Sequence, residues 1–268
     1  MFRRTYVFRN IFLFLMYFQL FLSTVFLFLM PLFKKNSFLA CMFEGIRKML
    51  AAACNILLPS VCIVCGRKLL LNERHICLNC RMDMPLTYFW NMPVNPMSDR
   101  FNEVIQKDLD SAPEKREIYA RAAALFFYKK ESQYRKIPYF IKYQGGIRAA
   151  EHFGRMLGKK LAASNIWNDC DLIIPVPLHW TRKWKRGYNQ AEIIAGSIAA
   201  TMNIPIRTDL LKRRRRTITQ TKLDIEGKAK NVAGAFEVTE TAAELMKERP
   251  DIRRIVLIDD VFTTGSTL

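Results

Sequence analysis

Two clusters of residues have types and spacing that imply chemistry. The first is Asp259-Asp260-Val261-Phe262-Thr263-Thr264-Gly265-Ser266-Thr267, which follows the uncharged run Ile255–Ile258. Short and rich in branched aliphatics, that run is expected to be a central strand of a parallel sheet. Ligands of open α/β sheets sit just beyond the carboxyl ends of such strands. Gly265 lets the backbone turn so that successive amides face one oxyanion. The hydroxyls of Thr263, Thr264, Ser266 and Thr267 can donate to phosphate oxygens, and a following helix would add its positive end. The carboxylates of Asp259 and Asp260 repel phosphate; they suit sugar hydroxyls, a bridging Mg²⁺ or a developing positive charge. A plain capped strand-to-helix turn does not call for two carboxylates and four hydroxyls around one glycine.

The second cluster is Cys62, Cys65, Cys77 and Cys80, spaced as CxxC-x11-CxxC. Each CxxC forms a knuckle with two thiolates aimed at one ion, and two knuckles complete a tetrahedral site suited to Zn²⁺. Gly66 permits the tight turn after the first knuckle. A closed four-thiolate site leaves no position for substrate, so the expected role is structural, and His75 inside the loop reads as a bystander. The seven cysteines are an odd number, which fits a reducing compartment better than a disulfide framework.

A third segment carries cations among aromatics: Trp180, Arg182, Lys183, Trp184, Lys185, Arg186 and Tyr188. Such a mixture suits a groove that tracks phosphates while rings stack on bases; ordinary packing of the rings against a sheet is the competing reading. Lys212–Arg216 adds five consecutive basic residues. The chain's formal charge is +18, and residues 1–60 hold only seven Lys/Arg against one Glu. Most of the basicity therefore lies beyond residue 60, favouring phosphorylated ligands, nucleic acid or anionic membrane. Half of the 268 residues are apolar, which excludes a disordered chain.

The elements that position these residues alternate between strand and helix. Ala122–Tyr128 and Leu172–Pro177 read as short strands, with further strands near Ile206–Leu211, Ala235–Val238 and Ile255–Ile258. Helical periodicity runs from Arg148 to Ala163, placing His152 as a packing or surface residue, and again from about Gln190 to Met202. Between them, His179–Gln190 reads as a basic loop. The organisation expected is a hydrophobic segment (1–41), a four-cysteine module (55–84), a Pro/Asn/Met-rich connector (85–118) with a helix around Asn102–Leu109, and an α/β domain (119–268). Ile11–Phe33 contains no charge and is long enough to span a bilayer. It is either a membrane anchor for a cytoplasmic domain or an extension upstream of a true start at Met42 or Met49.

On these residues the chain resembles a known family. DDVFTTGST is similar to the loop of type I phosphoribosyltransferases that binds phosphoribosyl pyrophosphate (PRPP). IPVPLHWTRKWKRGYNQAE (174–192), NVAGAF (231–236), IKYQGG (141–146) and the leading four-cysteine module resemble the ComF family in particular, which is competence-associated and phosphoribosyltransferase-like. The resemblance covers about residues 57–268. It implies an α/β fold with a mainly parallel sheet, preceded by a zinc-ribbon-like module, and PRPP bound together with Mg²⁺. It places Asp259 and Asp260 on the ribose hydroxyls and Thr263–Thr267 around the 5-phosphate. Arg182, Lys183 and Arg186 become candidate cations for pyrophosphate, and 213–230 the hood of the fold. Phe262 stands where the family more often has a smaller aliphatic residue. The implied function is in DNA uptake, either as a transferase or as a non-enzymatic factor binding PRPP or single-stranded DNA. The family's fold continues past the loop, so a chain stopping at Leu268 is expected to be truncated.

Overall fold

The computed structural model describes residues 60–110, 119–214 and 235–262. From Val61 onward they belong to one compact unit. The hydrophobic segment 11–33 lies outside the described residues. No described helix is long and apolar enough to cross a membrane.

The framework is mixed helix and strand around a small parallel sheet. Strand β1 (Leu172–Pro175) is buried along its whole length and pairs in parallel with β4 (Ile255–Ile258), in register Leu172↔Ile255 to Pro175↔Ile258. On its other side Ile173 bridges Ile206, also in parallel, and its N–H donates to the Pro205 carbonyl at 2.9 Å. β1 is thus central. Alternation sends its side chains to two faces: Ile173 joins the main core, while Leu172 and Ile174 join a smaller cluster with Leu210 and Ala242. The Asp171 carboxylate accepts the N–H groups of Arg253 and Arg254 at 2.8 and 2.9 Å and so fixes the start of β4.

Helix α1 (Leu78–Met82) closes the cysteine module, and α2 (Pro96–Asp110) covers the stretch where a helix near Asn102–Leu109 is expected. Helices α3 (Lys136–Tyr143) and α4 (Ile147–Ala162) are joined by Gly145-Gly146. Helix α5 (Trp180–Arg186) leads into α6 (Gln190–Met202), which packs on α4. Gly154 and Gly158 permit that packing: a β-carbon there would come within 2.9 Å of the Ser197 or Thr201 side chain. A two-stranded antiparallel pair, β2 (Leu211–Arg213) with β3 (Phe236–Val238), precedes α7 (Glu240–Glu248).

Four local readings change. Ala122–Tyr128 is not a regular strand; it makes one antiparallel bridge, Leu86↔Phe126. Its partner segment begins at Pro85, which has no N–H to extend the ladder. His179–Gln190 is mostly helix, because the His179 side chain caps α5 at Thr181 N–H and Gly187, at φ 81°, closes it. Near 206–211 only Ile206 bridges β1, and regular pairing begins at Leu211. β4 is not buried on both faces: Val256 and Ile258 face the core, whereas Ile255 and Leu257 are 41% and 43% exposed. No described element covers that second face.

Segment 85–106 is anchored at a few buried residues. Trp90 is buried, and its carbonyl accepts the Trp167 indole N–H at 3.0 Å. Asn95 caps α2 through Met97 and Ser98 N–H. The cysteine module shares this core, since Cys62, Val64, Ile76 and Cys77 cluster with Ile137 and Phe153.

Candidate ligand site and metal centre

Two parallel strands end side by side, and their carboxyl ends carry the acidic pair and the basic helix. The ladder continues one step past β1, where Val176 N–H donates to the Ile258 carbonyl at 2.8 Å. Asn189 steadies the return, its amide donating to the Val176 carbonyl at 3.1 Å. The chain between them forms α5, so Arg182 to Arg186 are held close to the end of β1 by a short capped helix rather than by a loop.

Beyond β4, Asp260 N–H donates to Asp259 Oδ1 at 2.7 Å, and Lys142 Nζ lies 2.9 Å from Asp260 Oδ2. Both members of that ion pair are largely screened from water, with 23% and 15% of their side chains exposed. Burial, then the neighbouring Asp260 charge, raise the Asp259 carboxyl to about 6 against the pull of Lys142 and Arg213. Arg213, on β2, lies over the Phe236 ring at 5.0 Å and feels both Arg182 and Asp259. The structure therefore brings together Asp259 and Asp260 from the sequence reading, adds Lys142 and Arg213, and sets Arg182 near Arg213. Arg213 belongs to the basic run noted in the sequence. Lys142 sits in the IKYQGG segment, but nothing in that segment pairs a lysine with a carboxylate over a hundred residues away.

Lys183 and Arg186 are engaged elsewhere. Lys183 reaches Glu192 at 3.2 Å, and Arg186 reaches the Gln190 amide oxygen at 2.8 Å while lying 5.2 Å from the Tyr143 ring. The Lys183 pair is exposed and so weak enough to exchange for an anion. The aromatics divide: Trp180 and Trp184 are 71% and 86% exposed, one helical turn apart. Tyr188 packs instead, its hydroxyl donating to the Ile141 carbonyl. Phe262 also packs, 4.8 Å from the Phe101 ring on α2. Thr263, Thr264, Gly265, Ser266 and Thr267 lie outside the described residues.

At the opposite, N-terminal part of the unit, the Sγ atoms of Cys62, Cys65, Cys77 and Cys80 all lie within 4.8 Å of one another. A tetrahedral ion with bonds to sulfur of about 2.3 Å spaces its ligands about 3.8 Å apart. Cys65 and Cys77 are 3.8 Å apart, so the four thiols fit a metal ion. Gly66, at φ 78°, turns the first knuckle, and its N–H donates to the Cys62 carbonyl. Burial works to raise the Cys62 thiol, but N–H groups of Cys65, Cys77 and Val64 bring it down to about 7. Cys80 is pushed up by burial and by hydrogen bonds shared with Cys77 and Cys65. Cys62 thus ionises readily while Cys80 resists, and a bound cation would hold both as thiolates.

His75 lies 5.6 Å from His152, and burial lowers both imidazoles, His152 to about 4. Both are packing groups at neutral pH. Glu73 ties the loop by accepting N–H from Leu70 and Leu78. Tyr134 and Lys136 strap the module to the unit by donating to the Cys80 and Val64 carbonyls at 2.8 and 2.7 Å.

Comparison with known proteins finds relatives over 98 residues. The chain is 39% identical there to Competence protein F of Haemophilus influenzae, a match covering 37% of this chain and 41% of that protein. It is 34% identical to DNA utilization protein YhgH of Shigella flexneri and 32% identical to that of Salmonella typhi, each covered to 40%. The match thus spans about two fifths of the length of these curated relatives. No family model and no solved structure matches the chain. Over those 98 residues the chain is similar to proteins named for competence and DNA utilization.

Proposed function

We propose that this protein binds Mg²⁺-PRPP in a site of the type I phosphoribosyltransferase kind and acts in DNA uptake, as the names Competence protein F and DNA utilization protein YhgH suggest. The observation that carries the reading is the Asp259–Asp260 pair at the end of the parallel β1–β4 pair, with Lys142 and Arg213 beside it and Arg182 near Arg213. Carboxylates there would take the ribose hydroxyls, and the two arginines the pyrophosphate. The loop Thr263–Thr267 would take the 5-phosphate, and 213–230 would form the hood. As a transferase the protein would position PRPP for attack at C1 by a nitrogen nucleophile, with pyrophosphate leaving. The developing oxocarbenium charge would face the acidic pair. The cysteine cluster would hold a structural Zn²⁺. The working compartment would be the cytoplasm, with residues 11–33 available for membrane association.

The test is PRPP binding by calorimetry in the presence of Mg²⁺. Asp259→Asn combined with Asp260→Asn should abolish it; binding that survives the pair of substitutions would refute the assignment. Pyrophosphate release on addition of a nucleobase separates a transferase from a binding factor.

A second reading rests on a different observation. Trp180 and Trp184 project from a seven-residue helix that also carries Arg182, Lys183, Lys185 and Arg186 and no acid. Exposed rings among cations suit single-stranded DNA, whose bases stack and whose phosphates pair. Binding of this kind weakens steeply with salt. A filter assay showing retention independent of salt would count against it.

A further inference from the structure

Lys142 has no place in the sequence reading of the site, yet it forms an ion pair with Asp260. Its helix ends in a constrained way. Gly145 turns the chain at φ 66°, and a β-carbon on Gly146 would come 2.7 Å from the Ile141 α-carbon. Tyr188 donates its hydroxyl to the Ile141 carbonyl, and the Arg186 guanidinium lies 5.2 Å from the Tyr143 ring. The end of α3 is therefore held by its own double-glycine turn and by the junction between α5 and α6. Lys142 points from that fixed end to Asp260 at 2.9 Å, while Asp260 N–H holds Asp259 at 2.7 Å. Among the described residues, the charged groups acting on Asp259 are Asp260, Lys142 from α3 and Arg213 from β2, with Arg182 of α5 acting on Arg213.

We propose that Lys142 is a positioning residue of the ligand site, its ammonium holding the Asp260 carboxylate beside Asp259 in the orientation that receives the sugar hydroxyls. The inference rests on the PRPP reading. Two adjacent carboxylates repel each other, and without a fixed counter-charge they would swing apart or share a proton. Lys142 removes that tendency on one side, and it acts through Asp260 rather than on the phosphates. It also links two segments far apart in sequence, since the RGYN stretch that fixes α3 thereby fixes the acidic pair.

The test compares two probes, Mg²⁺-PRPP and inorganic pyrophosphate, titrated calorimetrically into the full chain as wild type, Lys142→Met and Lys142→Arg. Lys142→Met should weaken PRPP binding by about tenfold or more, the scale of a lost charged hydrogen bond. It should leave pyrophosphate binding, which involves no sugar, within about twofold. Lys142→Arg should recover most of the PRPP affinity. Unchanged PRPP affinity in Lys142→Met overturns the proposal, as does an equal loss for both probes. A wild-type protein that fails to bind PRPP refutes the underlying reading instead and takes the proposal with it.

Discussion

The cysteine cluster and the acidic-pair site are assembled in opposite ways. All four thiols come from nineteen consecutive residues, and local turns at Gly66 and at the start of α1 bring their Sγ atoms within 4.8 Å of one another. The acidic pair draws its neighbours from α3, α5 and β2, with Lys142 more than a hundred residues before Asp260. A site made locally depends on spacing, and an ion can complete it. A site made from distant segments depends on the whole sheet being in place. Damage to the first should spread outward; damage within the second should stay local.

The largest expected effect therefore lies in the cysteine cluster. Cys62 and Cys77 are each 1% exposed and belong to the same core as Ile137, Phe153 and Ile173. Cys62→Ser or Cys77→Ser, or metal removal by a strong chelator, should lower the thermal midpoint of the entire unit by about 10 °C or more. The transition should remain single, because module and sheet share one core. A separate early transition, with the rest melting as before, would show that the module is an independent appendage. Metal analysis sharpens the point: the purified protein should hold close to one zinc, and less than about half an equivalent would sink the assignment.

A smaller effect is expected on α5, at the rim of the second site. Trp180→Ala and Trp184→Ala remove exposed rings, so stability should hardly change. Each should weaken single-stranded DNA binding about tenfold, within the range for one stacked base. Tyr188→Phe provides the contrast, since that hydroxyl braces α3. It should affect PRPP binding more than DNA binding. Equal sensitivity of DNA binding to all three substitutions would mean that α5 is not a stacking platform.

The same contrast explains what could be read from the sequence. The four-cysteine cluster, β1, α6 and β4 could all be placed, because each is encoded by local spacing or by a continuous apolar run. The helix at Trp180–Arg186 was hidden by its composition. Its start is set by a histidine cap and its end by Gly187 in a left-handed conformation, neither of which periodicity detects. The Ala122–Tyr128 run is as apolar as a strand, but its pairing partner begins at a proline. Exposure of Ile255 and Leu257 was equally invisible, since which faces of β4 are covered is decided by other elements. Lys142 could not be assigned because a lysine becomes part of a site only through the carboxylate it meets. Of the three cations read from the basic segment, Arg182 acts on Arg213, whereas Lys183 and Arg186 turn to partners on α6.

The smallest effect concerns the acidic pair itself and tests how strained that non-local site is. Burial and the Asp260 charge raise Asp259 to about 6, from an ordinary value of 3.8. A carboxyl whose folded pKa is raised binds its proton more tightly in the native state than in the unfolded chain. Its contribution to stability is therefore present below about pH 4 and is lost as the pH climbs to about 6. Above pH 6 the native protein carries the cost of an ionised, partly buried carboxylate beside another. Asp259→Asn keeps an oxygen able to accept the Asp260 N–H and removes that charge. The variant should thus be more stable than wild type at pH 7.5 by of order 1–3 kcal/mol, the scale of a shift of about two units. At pH 4 the two should melt together. A gain of similar size at both values would trace the effect to packing, and a loss at pH 7.5 would show that Lys142 and Arg213 already neutralise the pair. In the second case the acidic site would be as well compensated as the cysteine cluster, and the contrast between the two regions would be one of assembly alone.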